Sequence, residues 1–297
     1  IPWDIKVSPN LPNPDCYLPN NGGYHDDSID IQINVTYWTQ DLQQVDAPGE
    51  GTTTVMSARV KLTDVSQFRT GFANKYPSKQ ARHVNDMTKR FNAVMGIDGD
   101  YCLYHEQGIV VRNGQTLRMR PHKGRDELIV DENGDFHLIT CTTQAKWDEY
   151  IAGGGTVLHA FCFGPALVVD GVPLTSLDDV TIDNGKAKKA QRMVIGQIGK
   201  LEYLILTNEG PESTAPKSVG FDLVQMANLC VQFGLNNAYN LDGGSSSTIA
   251  LNNQKINSPS SHKNRMVGDC IWFATLVKEE TWREEESVQT VEVEENK

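Results

Sequence analysis

The sequence predicts an α+β fold: a curved mixed β-sheet core, a few packed helices, and a cleft where strand ends converge. Three observations carry this expectation. Short apolar segments of strand character recur along the chain, separated by Gly, Pro, Asn and Asp turns. Only three segments place apolar residues at helical spacing. There is no internal repeat and no Walker or dinucleotide fingerprint, which removes repeat architectures and the common nucleotide-binding folds.

In chain order, residues 1–28 hold many Pro, Asn and Asp and are expected to be largely irregular. Ile29, Ile31, Ile33, Val35 and Tyr37 alternate with polar residues, the period-2 pattern of a half-buried strand. Val55 to Leu62 is a second strand. Asn85 to Val94 reads as a helix with Val84, Met87, Phe91 and Val94 on one face, leading into a strand that ends at Asp98. Short strands follow at 109–112, 128–130 and 136–140. Thr143 caps a helix through Trp147 and Tyr150, closed by Gly153 to Gly155. Strands are expected near 157–162, 166–169, 192–196 and 201–207. The third helix has the clearest punctuation. Asp222 and Gln225 form a capping box, Phe221 and Met226 a hydrophobic staple, and Gly234 fits the left-handed C′ position. Strands at 238–241 and 248–251, an Asn252-Asn253 turn with its return strand, and a final strand at 270–277 complete the pattern. The chain thus divides into an N-terminal segment 1–28, a single domain 29–278 and an acidic tail 279–297.

Composition excludes several classes. The 297 residues are 39% hydrophobic, enough for a substantial core. The net charge is −11, of which the tail supplies −6 through eight Glu against Arg283 and Lys297. An acidic chain with no basic, aromatic-laced patch argues against nucleic acid as partner. No apolar run approaches the ~20 residues needed to span a bilayer. No signal peptide is recognisable, and a start at Ile1 without Met suggests a processed or trimmed product. Six cysteines without a Cys-x-x-Cys pair argue against a zinc knuckle; Cys162, Cys230 and Cys270 lie in apolar runs, and a disulfide between distant members stays open. Neither the compartment nor the oligomeric state follows.

The stretch that carries most chemistry is NLDGGSSST, residues 240–248. A short strand runs directly into Asp242. Gly243 and Gly244 allow a sharp turn and close approach of a ligand. Ser245 and Ser246 add hydroxyls, and successive N–H groups in such a turn can form a nest for an anion. An acid beside a cradle for negative charge suits hydrolysis of an anionic substrate. The bland alternative is a serine-rich loop with Asp242 as a turn former.

With its preceding helix and following hairpin, this unit resembles the C-terminal core of the phosphodiester glycosidase family, which includes enzymes removing N-acetylglucosamine from phosphodiester-linked mannose. The family pattern N-L-D-G-G-G-S-[SA]-T, then a hairpin and a Pro-Ser segment leading to Arg, is matched by NLDGGSSST and by INSPSSHKNR ending at Arg265. RMVIGQIGKLEYLILTNEG (192–210) resembles the family's R-T-A-I-G strand pair, and FGPALVVDG (163–171) its Gly-Pro strand entry. AVMGIDGDYC (93–102) stands where the family usually has N-G-G-[YF]-F. Four departures stand out: Asp98 for Asn, Asp100 for Gly, Cys102 for an aromatic, and Ser245 for a third Gly. Glu209 replaces Asp in the second motif. Asp98 and Asp100 bring extra negative charge toward an anion site, which points to a different substrate, a bound cation, or a raised carboxyl pKa.

The resemblance implies cleavage of a glycosyl phosphodiester at the sugar C–O bond. Glycoside cleavage commonly uses two carboxyl groups. Asp242 is the first choice as acid, base or nucleophile. Glu209 is the second carboxylate, with a hairpin turn residue as its alternative. Asp98 is a further partner or a ligand for a sugar hydroxyl or cation. Arg192 and Arg265 suit a phosphate clamp because a guanidinium donates in a plane and stays charged; surface ion pairs are the alternative. Gly243, Gly244, Ser245 and Ser246 would line the phosphate site. Tyr101 either stacks on a sugar or packs in the core, and His159 is either a packed core residue or a site residue. No cofactor is required, but Asp98-Gly-Asp100 and Asp26-Asp27 offer the oxygen ligands that Ca²⁺ or Mg²⁺ takes. The expected partner is a glycan or sugar-phosphate polymer, and the family favours an extracytoplasmic or secreted setting. Two other readings are a metal-assisted phosphodiesterase cutting P–O and a carbohydrate-binding module without catalysis.

Overall fold

The alternation beginning at Ile29 becomes a ten-residue strand, Ile29–Trp38, paired along its whole length with Thr53–Leu62. The computed structural model describes residues 7–178, 188–211, 213, 217–257 and 264–283. From the Thr53–Leu62 strand the sheet continues through Glu202–Asn208, Arg192–Gly199, Asn237–Leu241, Ala166–Val169 and Val172–Pro173. A second sheet runs Phe136–Ile139, Glu127–Val130, His159–Phe161, Gly108–Arg112, Gln115–Arg120. A third runs Gln254–Lys255, Ile249–Leu251, Met95–Asp98, Asp269–Phe273, Phe68–Phe72. Every pairing between these strands is antiparallel. The α+β class therefore holds, with the core shared among three sheets. One apolar cluster joins them: Ile31, Ile205 and Tyr239 from the first, Val130 and Phe161 from the second, Phe68, Ile97 and Phe273 from the third.

Among the described residues three α-helices punctuate the strands, α1 (Val84–Phe91), α2 (Gln144–Ala152) and α3 (Leu223–Gln232), and a further helix begins at 279–283. α1 stops three residues earlier than its apolar spacing suggests, because Asn92 turns left-handed at φ 56° and releases the chain toward the next strand. Thr143 caps α2 through its side chain. α3 has the full Asp222–Gln225 capping box, and Gly234 follows it at φ +79°. Its Leu223, Met226, Ala227 and Cys230 pack on Val168, Val194 and Leu206 of the first sheet. Removing the cap with Asp222→Ala is expected to cost about 1 kcal/mol, read as a lower denaturant midpoint at unchanged m-value.

The alternation hid some strands. Phe68–Phe72 carries Arg69 and Gly71 yet is largely buried, and Gln115–Arg120 is mostly exposed at a sheet edge, so neither shows a period. Within the N-terminal segment, Tyr17–Leu18 and Gly23–His25 form a small hairpin added to Ile29–Trp38. Residues 1–6, 258–263 and 284–297 lie outside the described residues, so the first six positions, the Pro-Ser segment and most of the acidic tail do as well. All six cysteines are free thiols, and Cys162, Cys230 and Cys270 are buried. Among the described residues no helix is long and apolar enough to cross a membrane.

The three sheets meet at one short segment, Asp98 to Cys102. The Asp98 carboxylate accepts from the Thr248 N–H (2.8 Å), beside the third sheet. The Gly99 carbonyl accepts from the Asp242 N–H (3.1 Å), at the end of the first. Asp100 accepts from the Cys162 N–H (2.9 Å), at the end of the second. Strand ends from all three sheets are thereby drawn to a common point.

Candidate active site

Register sets the first pair of site residues. Met193 lies opposite Leu241 in the first sheet, so the next step outward places Arg192 opposite Asp242. Beyond Leu241 the chain leaves the sheet through Gly243 and Gly244. A Cβ on Gly243 would lie 2.9 Å from the Gln191 carbonyl oxygen, and Gly244 has φ +62°. Both demand glycine, for contact and for conformation respectively. The loop does not form the expected N–H nest. The Gly243 N–H donates to the Asp242 carboxylate, that of Gly244 to Gln191, and those of Ser246 and Ser247 to Gly243 and Gly244. Those donors are consumed in fixing the turn.

A cavity of about 490 Å³ opens at this strand end, lined by Asp242, Arg192, Arg265, Gly243, Gly244, Ser245 and Tyr101. Five basic side chains face it, Arg125, Lys188, Lys189, Arg192 and Arg265, against one carboxylate, Asp242, among the described residues. In a chain of net charge −11 that local reversal of sign is a built feature, and it focuses anions into the cleft. Tyr101 holds a left-handed backbone at φ 58° and stacks on Tyr104 with ring centroids 4.6 Å apart. Its ring therefore forms a fixed wall.

Asp242 is 7% exposed. Burial raises its pKa; the Ser246 hydroxyl, the Arg265 charge and the Gly243 N–H oppose that, and the balance lies at about 6. Arg265 donates to the Ser246 hydroxyl (3.2 Å), so guanidinium, hydroxyl and carboxylate form one line. Ser246 is itself buried behind the cavity wall. The Arg192 guanidinium donates to the Phe221 and Lys188 carbonyls, which ties the lysine-bearing wall to the first sheet. Its burial lowers its pKa to about 10, still fully charged at neutral pH.

Asp98 is fully buried behind Asp242 and does not line the cavity. Burial, then the Asp242 charge, push its pKa well above the usual carboxylate value, which favours the protonated acid. One of its oxygens accepts from Thr248; the other, Oδ2, has no partner among the described residues. A protonated Asp presents one acceptor and one donor, the same polar outline as the Asn that the family has here. Asp98→Asn is accordingly expected to keep activity within ~3-fold and to flatten the dependence of stability on pH. The sign follows from the raised pKa. Asp98 contributes stability in full below its unfolded pKa of about 3.9 and loses it as pH rises through the folded value, so the wild-type chain weakens over that window while the Asn variant does not. Urea titrations of both proteins across pH 4–8 check this.

Asp100 has different partners from Asp98. Burial acts to raise its pKa, but Arg112 and the Cys162 N–H outweigh burial and hold it at about 2. The Arg112 Nη2 lies 3.1 Å from both Asp100 and Asp269, and burial with the Asp100 charge pushes Asp269 up to about 7. Asp100, Cys102 and Asp269 lie close enough together to hold a metal, but the guanidinium already supplies their positive charge. Asp26 of the other acidic pair accepts from Ser28, Ile29 and Tyr24, which makes it the organiser of a turn.

Besides Asp98 and Ser246, two further sequence candidates lie outside the cavity lining. His159 is fully buried with its ring beside Phe68 (5.6 Å), and burial with the Arg112 charge lowers its pKa to about 3. It is a neutral core residue. Glu209 follows Asn208, the residue paired with Arg192, and stands two strands away from Asp242 at the same sheet end. Its N–H donates to Thr54. Sequence reading missed Arg125, Lys188, Lys189 and His105, which carry no motif, and Asn240, which does. The Asn240 Nδ2 donates to Gly164 (2.8 Å), and its buried Oδ1 has no partner among the described residues.

A family model of phosphodiester glycosidase matches residues 91–274. The chain belongs to the phosphodiester glycosidase family. Among solved structures it is similar to the catalytic domain of zebrafish N-acetylglucosamine-1-phosphodiester alpha-N-acetylglucosaminidase, a form auto-inhibited by its pro-peptide, with TM-score 0.64, 14% identity and 86% of each chain covered. It is also similar to a hypothetical protein from Synechocystis, with TM-score 0.54, 13% identity, and 83% of this chain and 62% of that one covered. At such identities the likeness establishes the fold. No curated protein sequence matches the chain.

Proposed function

We propose that this protein hydrolyses a sugar-1-phosphodiester at the glycosidic C–O bond, releasing a sugar and a phosphomonoester. The observation that supports this reading is one carboxylate, Asp242, facing five basic side chains across one cavity among the described residues. A phosphate leaving group is a weak base and needs charge neutralisation more than a proton. The basic wall supplies the first, so the site can work without a second carboxylate in the cavity. In this reading Asp242 takes a proton from a water whose oxygen attacks the anomeric carbon. The C–O bond breaks, and its electron pair leaves with the phosphate oxygen, held by Arg265 and the basic wall. Tyr101 and the Asn240 Oδ1 contact the sugar. Asp98 lies buried behind Asp242, and Glu209 stands at the same sheet end.

N-acetylglucosamine is the first sugar to test, and a cell-surface glycan or sugar-phosphate polymer met outside the cytoplasm is the substrate class. Hydrolysis of UDP-N-acetylglucosamine or a p-nitrophenyl sugar phosphodiester in ¹⁸O-water tests the bond. Label in the released sugar is the expected result. Label in the phosphate assigns P–O cleavage instead, and binding without turnover assigns a carbohydrate-binding module. The same assay after chelation, with Ca²⁺ or Mg²⁺ added back, tests for a divalent cation.

A further inference from the structure

A second cavity of about 400 Å³ lies elsewhere on the molecule and shares no lining residue with the first. It opens between the Phe68–Phe72 strand, the chain that follows it, the end of α1, and the Gly108–Arg112 hairpin. Its size falls within the roughly 300–1,000 Å³ of small-molecule sites. Three basic side chains line it, Lys75, Arg90 and Arg112, and no carboxylate does among the described residues. In a chain of net charge −11, a cavity with cations alone selects against cationic and toward anionic ligands.

The rest of the lining describes the body of the ligand. Phe72 and Tyr76 have ring centroids 5.4 Å apart and form an aromatic wall. Asn113 and Gln115 add amides that both donate and accept. An aromatic wall, amides and positive charge together suit a pyranose ring with its hydroxyls and an acidic substituent. A bare anion would need only the charge. Arg112 supplies an independent sign that a ligand belongs here. It is 5% exposed, its terminal nitrogens are engaged with Asp100, Asp269 and the Val111 and Ala160 carbonyls, and its Nε has no partner among the described residues. A buried N–H without an acceptor is costly to leave unmade.

We propose that the second cavity is a binding site for a sugar unit carrying a negative charge, separate from the catalytic cleft. It would hold a neighbouring unit of an anionic glycan or a free sugar phosphate. Arg112 lies between this site and the Asp98–Cys102 segment, so the second site is anchored on the element that carries the first.

The probe is glucose 6-phosphate, followed by calorimetric titration of the full chain, with glucose and inorganic phosphate as separate ligands. The variants are Lys75→Glu/Arg90→Glu and Tyr76→Ala, all at surface positions outside the catalytic cleft. The expected result is a binding event weakened roughly tenfold or more by the charge-reversed pair and by Tyr76→Ala, yet retained in Arg265→Ala. Hydrolysis of a small phosphodiester should be unchanged in the two surface variants. Weaker binding of glucose and of phosphate than of glucose 6-phosphate supports the combined sugar-and-charge reading. Phosphate binding as tightly as the sugar phosphate would overturn the sugar. Loss of all binding in Arg265→Ala, or none in the surface variants, would overturn the site itself, whatever the turnover assay shows.

Discussion

Asp242→Asn is expected to lower kcat by roughly 10²–10⁴-fold with little change in KM, because Asn keeps the shape of the carboxylate but cannot take a proton. The pH profile gives the matching signature. With the Asp242 pKa at about 6, the competent carboxylate is lost on acidification, so the wild-type rate should fall about tenfold per unit below pH 6 and level off above it. Full activity in the Asn variant, or a wild-type rate that climbs as pH drops below 6, would remove Asp242 from the base role. Circular dichroism and thermal melting of the variant establish that the loss is chemical. Asp242 anchors Gly99 only through its backbone N–H, which the substitution leaves in place.

Arg265→Ala is expected to reduce kcat/KM by about 10²–10³-fold, the effect of losing one donor aimed at developing charge in an excluded site. A second consequence distinguishes it from simple loss of binding. The Arg265 charge lowers the Asp242 pKa, and its guanidinium orients the Ser246 hydroxyl that hydrogen-bonds the same carboxylate. Without it the Asp242 pKa rises, so the acidic limb of the rate profile should move to higher pH. Arg265→Lys restores the charge without the planar fork and should recover the position of the limb better than the rate. An unchanged profile in Arg265→Ala would separate Arg265 from Asp242 and leave it a surface residue.

Much of this was legible from residue order. The capping box at Asp222, the glycine after α3, and the strand running into Asp242 are local devices, and local devices leave local signatures. Strand register brings Arg192 and Asp242 to one cavity, and the loop bonded to Ser245 adds Arg265. What was hidden is non-local. Arg125, Lys188 and Lys189 belong to segments without period or motif and reach the cleft only because three sheets converge. The N–H nest expected at Gly243 and Gly244 does not form because the Asp242 carboxylate takes the first donor and the Gln191 carbonyl of the neighbouring chain segment takes the second. Asp98 and Asp100 look like one acidic pair in sequence, yet they face different sheets. One is held neutral by burial and the other ionised by Arg112.

The five cations of the cleft bear on how a catalytic cycle ends. A phosphodiester carries one negative charge, whereas the phosphomonoester it yields carries about −1.5 to −2 at pH 7. A wall arranged to attract the first must grip the second harder. In the proposed reaction, departure of the phosphorylated product rather than bond breaking would be the slow event at high substrate, and inorganic phosphate would be a competitive inhibitor. Raising ionic strength should hasten that departure while it slows capture, so kcat and kcat/KM would move in opposite directions.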